Sequence, residues 1–290
     1  MTEKVLRANG VDLCVETFGV PGDPAVLLIM GVTGSMDRWE VDFCRSLADA
    51  GRFVIRYDHR DTGRSTSYPP GEPGYAFPDM VDDAAGVLDA LGVERAHVVG
   101  LSMGGMIAQL LTLDHPDRVA TLTLIATSPG GPGDPDLPPM APSLLEHFAA
   151  GGTTPPDWSD RDSVIDHLVA AQRPYRGSRP VDEEVERALA GRIFDRSTSI
   201  ASTANHLQVV GGEPWRERLA EIAVPTLVMH GDVDPLFPLG HAEALAAEIP
   251  TARPLVVLPD TGHEFPRGVW DLVLTRLVEH TERGSATAQG

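Results

Sequence analysis

The chain has 290 residues, 42% of them hydrophobic and 22% charged, which is enough apolar material for a large core and excludes wholesale disorder. Lys and Arg number 23 against 42 Asp and Glu, so the formal net charge is −19, and a surface so acidic repels nucleic-acid phosphates and anionic lipid. Lys4 is the single lysine and the two cysteines are Cys14 and Cys44, which excludes Schiff-base chemistry, a phosphate-loop lysine and a zinc-ligand set.

The first residues, MTEKVLRANGVDL, lack a basic start followed by an apolar run, so no signal peptide is read and a cytoplasmic enzyme is expected. No stretch of about 18 apolar residues predicts a spanning helix. From Ala25 onward, short apolar runs alternate with helical patterns. Ala25–Met30, Phe53–Tyr57, His97–Leu101, Leu122–Ile125, Thr226–Met229 and Leu255–Leu258 each read as a strand buried on both faces. Phe77–Leu91 reads as an amphipathic helix, with Ala84, Val87, Leu88 and Leu91 on one face and Gly92 just past its end. This alternation predicts an α/β protein with a mostly parallel, doubly wound sheet.

The alternation breaks between about 130 and 218. That stretch opens with GGPGDPDLPPMAP, too rich in proline and glycine for regular structure. Helical stripes follow, at Val164, Ile165, Leu168 and Val169 after a Ser159 cap, and at Val185, Leu189 and Ile193 after an Asp182 cap. The strand pattern resumes at Val224-Pro225-Thr226, so residues 1–129 and 219–290 read as one core and 130–218 as a helical lid inserted into it. A second, independent domain is the alternative.

Gly100-Leu101-Ser102-Met103-Gly104 is a G-x-S-x-G motif between an apolar strand and the helical run Gly105–Leu113, the context of a nucleophile elbow. A serine hydroxyl there needs a base. Ten histidines compete. His97, His115 and His230 have ready structural roles at strand and helix ends, and the order Ser…Asp…His that accompanies this elbow selects His263. For the acid, His230-Gly231-Asp232-Val233-Asp234-Pro235 offers two carboxylates. Asp234 is preferred because Pro235 stiffens its turn, with Asp232 as the substitute. The oxyanion donors are then the amides of Met103 and of Val32, in the loop after the first buried strand, where Gly31 would permit close approach. Met30, Gly31, Met36, Leu236 and Phe265 from the core, and Trp158, Phe194, His206 and Gln208 from the inserted segment, are candidates to line a substrate pocket.

These residues resemble the α/β-hydrolase fold family from Val11 to about His280, and Asp58-His59-Arg60-Asp61-Thr62-Gly63-Arg64-Ser65 is similar to that family's Asp-x-Arg-Gly-x-Gly-x-Ser loop. Met30 stands where the family usually has histidine, and Asp61 where it has glycine. Taken with Ala96–Gly104, the 56–66 segment resembles the aclacinomycin methylesterase group, whose members remove a methyl ester from anthracycline polyketides. The resemblance implies a serine carboxylesterase without cofactor or metal, acting on a bulky, apolar small-molecule ester. An aminopeptidase, amidase or carbon–carbon bond hydrolase of the same fold is the alternative, as is a non-hydrolytic cyclase or binding protein. The acidic residues Glu183, Glu184 and Glu186, which an aminopeptidase could use, read more simply as the start of a solvated helix.

Overall fold

The computed structural model describes residues 2–130, 134–209 and 213–286. Strands β1 (Thr2–Ala8) and β2 (Val11–Phe18) form a hairpin, and β3 (Ala25–Ile29), β4 (Phe53–Tyr57), β5 (Ala96–Leu101), β6 (Val119–Ile125), β7 (Thr226–Gly231) and β8 (Val256–Leu258) follow. They make one eight-stranded sheet in the order β1-β2-β4-β3-β5-β6-β7-β8. Only β2 runs antiparallel to its neighbours; every pairing from β4 to β8 is parallel. The central strands β3, β4 and β5 are buried at every position, as a strand covered by helices on both faces must be.

The helices are α1 (Val41–Asp49), α2 (Phe77–Ala90), α3 (Met103–Asp114), α4 (Pro142–Ala149), α5 (Arg161–Gln172), α6 (Glu183–Arg196), α7 (His206–Val209), α8 (Gly240–Glu248) and α9 (Trp270–Ala286). Residues of α2, α3 and α8 bury the apolar side chains of one sheet face, and those of α1 and α9 cover the other. Gly92 follows the cap residue of α2 at φ +67° and its amide donates to the carbonyl of Asp89.

Helices α4 to α7 lie between β6 and β7. Of the stretch 130–142, residues 131–133 fall outside the described residues, and 134–141 form neither helix nor strand. Asp182 caps α6 through the amides of Glu184 and Val185, as its position predicts. The start of α5 differs by one residue: the cap is Asp160, which accepts from the amide of Asp162, while Ser159 bonds back to Asp157. Either residue type can cap, and the Asp157–Ser159 turn engages the serine first.

These helices are tied to the sheet by polar contacts. Arg196, at the end of α6, reaches Asp58 Oδ2 at 2.9 Å and Glu3 Oε2 at 3.0 Å, and also pairs with Asp37. Asp58 is fully buried and also accepts from the amides of Met36 and Arg64. Burial pushes its carboxyl above the ordinary range even though Arg196 pulls the other way. Asp61, at φ +64°, accepts from the amide of Tyr68, the hydroxyl of Tyr75 and the side chain of Asn205. It therefore cross-links its own loop to the inserted segment.

Candidate active site

The turn between β5 and α3 holds Ser102 at φ 54° and ψ −121°, a strained conformation that persists only where the surroundings enforce it. Its amide donates to Ile125, and its carbonyl accepts from Gly105 and from the hydroxyl of Thr127. Tight packing on both sides explains the flanking glycines. A Cβ at Gly100 would stand 2.1 Å from the carbonyl oxygen of Gly104, and one at Gly104 would stand 2.2 Å from that of Ile29. Neither neighbour is a side chain that can rotate away.

Three side chains far apart in sequence meet here. His263 Nε2 lies 2.8 Å from Ser102 Oγ, and His263 Nδ1 lies 2.7 Å from Asp234 Oδ2. Asp234 Oδ1 accepts from the amides of Leu236 at 2.8 Å and Phe237 at 2.9 Å, which fixes the carboxylate plane. Asp232 is exposed and accepts instead from the amide of Thr261. Burial by itself would raise the Asp234 carboxyl, but His263 and His230 outweigh it and hold the group well below the usual carboxylate range. His230 is fully buried, donates to the carbonyl of Phe237 at 2.7 Å and stands 3.3 Å from Asp234 Oδ2.

The loop after β3 lies against the serine: a Cβ on Gly31 would be 3.2 Å from Ser102 Cβ. Among the described residues, the amides of Val32 and Met103 donate to no other group of the protein. The remaining predicted residues divide. Met30 and Met36 are buried in the core, Met36 bonding through its backbone to Asp58 and Arg56. Phe265 packs in an aromatic cluster with Trp39, Phe43 and Trp270. Leu236 contributes its amide to Asp234. Trp158 and Phe194 line a cleft of about 500 Å³ whose walls do not include Ser102 or His263. Gln208 is exposed. His206 is buried and bonds to two backbone groups.

Two aromatic residues beside the histidine have no motif to announce them. The Phe237 ring stands 5.3 Å from the His263 ring and the Tyr175 ring 6.2 Å from it, centre to centre. The Tyr175 carbonyl also accepts the amide of His263 at 2.7 Å, and Glu264 accepts from the amide of Gly177. Among the described residues no three His, Cys, Asp or Glu side chains gather as a metal ion would require, and no helix is long and apolar enough to cross a membrane.

Residues 24–266 match the family described as alpha/beta hydrolase fold, and the chain belongs to it. Within that hydrolase family it is similar to the rhodomycin D methylesterase of Streptomyces sp. (strain C5), 34% identical over 298 residues that cover 97% of this chain and 98% of that protein. It is similar also to the rhodomycin D methylesterase of Streptomyces peucetius, 33% identical over 302 residues covering 97% and 98%. A meta-cleavage product hydrolase from Pseudomonas fluorescens IP01 shares the fold, with a TM-score of 0.73 at 21% identity over 97% of each chain.

Proposed function

We propose that the protein is a carboxylic ester hydrolase that works through an acyl-enzyme on Ser102. The observation that carries this reading is the unbroken line from Ser102 Oγ through His263 to Asp234, with steps of 2.8 and 2.7 Å. Both are hydrogen-bonding distances, and the imidazole can take a proton on one nitrogen only while the other is held by a carboxylate.

In the first half-reaction Ser102 Oγ bonds to the ester carbonyl carbon as His263 Nε2 takes the hydroxyl proton. Asp234 holds the Nδ1 proton and stabilises the imidazolium. The amides of Val32 and Met103 bind the tetrahedral oxyanion, an interaction usually worth roughly 100- to 1,000-fold in rate per donor. His263 then gives its proton to the departing alcohol. Water repeats the sequence on the acyl-serine, releasing the acid and restoring Ser102. The balance is ester plus water to acid plus alcohol, without a cofactor.

The substrate class we propose is a bulky, largely apolar ester, and specifically a methyl ester, as the methylesterase names of the two Streptomyces relatives suggest, of a polyketide-like compound, as the resemblance to the aclacinomycin methylesterase group implies. Residues 130–218 serve as the lid over the site. The contacts of Tyr175 and Gly177 with the His263 loop support that role. Incubation with a fluorophosphonate should label Ser102, and methyl esters should yield acid and methanol through an acyl-serine visible by mass. Turnover retained in Ser102→Ala would overturn the reading.

A further inference from the structure

The loop that carries Gly31 and Val32 is gripped by two buried histidines that take no part in the proton transfers above. His59 Nε2 donates to the carbonyl of Met30 at 2.9 Å, on the β3 side of the loop. On the far side, the amide of Thr33 donates to His206 Nδ1 at 3.0 Å, and His206 Nε2 donates to the carbonyl of Arg60 at 2.7 Å. The two rings meet edge to face with centres 5.8 Å apart. A backbone amide can only donate and a carbonyl can only accept, so His206 is the neutral ring with its proton on Nε2.

Gly31 to Gly34 forms a four-residue turn, closed by the amide of Gly34 on the carbonyl of Gly31 at 3.1 Å. Thr33 occupies its third position at φ +60°. That is the type II arrangement, which favours glycine or asparagine there and disfavours a β-branched residue. The turn is therefore not held by local preference. What holds the peptide between Val32 and Thr33 in its observed sense is the lone pair on His206 Nδ1, brought by α7 from 173 residues away.

We propose that His206 is a positioning residue for the oxyanion-binding turn: it anchors the Thr33 amide and so keeps the Val32 amide directed at the space beside Ser102. The inference rests on the acyl-enzyme reading above. It also gives the inserted segment a second task, because a side chain from α7 then completes the geometry of the turn that carries Val32.

The test compares two substitutions that divide the imidazole between them. In His206→Asn the carboxamide oxygen falls near the place of Nδ1 and can accept from Thr33. In His206→Gln the amide group falls near Nε2 and leaves Thr33 without an acceptor. With p-nitrophenyl butyrate as substrate, His206→Gln should lose roughly 10- to 100-fold in kcat, a part of what a whole oxyanion donor contributes, with KM within threefold. Its affinity for a trifluoromethyl ketone, which forms a tetrahedral adduct on serine, should fall in step. His206→Asn should stay within threefold on both measures. The proposal is overturned if kcat in His206→Gln is unchanged, if the loss lies in KM alone, or if the two variants lose equal kcat in proportion to their melting temperatures. Turnover by Ser102→Ala in the same assay would instead remove the acyl-enzyme reading, whatever the His206 variants do.

Discussion

Replacing Asp234 by asparagine tests the proton relay without removing any heavy atom. The two oxygens of Asp234 have separate partners: Oδ1 accepts from the amides of Leu236 and Phe237, and Oδ2 from His263 Nδ1. In Asp234→Asn the side-chain oxygen must remain on the amide pair, because turning the NH2 group toward them would strand two donors at about 1–3 kcal/mol each. The NH2 group then faces His263 Nδ1 and donates to it. The ring proton is forced onto Nε2, where it points at Ser102 Oγ, and the base is lost. The competent orientation is thus disfavoured by about 2–6 kcal/mol, which at 1.36 kcal/mol per tenfold corresponds to a fall in kcat between roughly 30- and 3 × 10⁴-fold. Pre-steady-state release of p-nitrophenol measures acylation directly, and the burst rate should fall by that factor while the melting temperature moves little. A variant within threefold of the parent rate would refute the tautomer argument. Since Asp234 is held well below the usual carboxylate range, its ionised form persists through mildly acid solution, and the acid limb of the parent pH–rate profile should not shift when Asp232 is replaced.

Arg196→Met removes the cation from a buried cluster and leaves Asp58 and Asp37 without their charge partner. Breaking such a pair costs about 3 kcal/mol or more, so the melting temperature should drop by roughly 6–12 °C, with faster proteolysis between α4 and α7. A shift under 2 °C would show that Met36 and Arg64 amides suffice for Asp58. Burial pushes the Cys14 and Cys44 thiols up to about 12. Because folding favours the neutral thiol, this stabilisation is complete below the ordinary cysteine value of 9.0 and is lost as pH rises from there toward 12. Native protein at pH 8 should therefore show no mass increase with iodoacetamide, and two alkylated cysteines after denaturation. Labelling of the folded chain at either position would contradict this.

Features governed by near neighbours in the chain were legible from residue order. The apolar run at Ala25 and the run at Phe53, interrupted by Arg56, became buried parallel strands because apolar side chains on both faces must be covered, and Arg56 is accommodated there only by its partners Glu16 and the Met36 carbonyl. Gly100 and Gly104 signalled the elbow because the clash each avoids is with backbone a few residues away or in the adjoining strand. The hairpin at the chain start has its signal too: Asn9-Gly10, at φ 43° and 74°, forms the tight turn between β1 and β2, but it precedes the first of the apolar runs, so the buried-strand pattern leaves this pairing out.

Tertiary structure decided the rest. Local order separates Asp234 from Asp232 only through the neighbouring Pro235; that one turns to His263 and the other to Thr261 follows from β7 and β8 lying side by side. His206 reads from sequence as a pocket wall, and its bonds to Thr33 and Arg60 exist only because α7 meets the loops that follow β3 and β4. Periodicity and glycine placement report forces acting over a few residues, so sequence alone marks the buried strands from β3 to β8, the helices α2, α3, α5 and α6, and the elbow. Which lone pair meets which proton across 29, 161 or 173 residues depends on how those elements pack, and packing is a property of the whole chain.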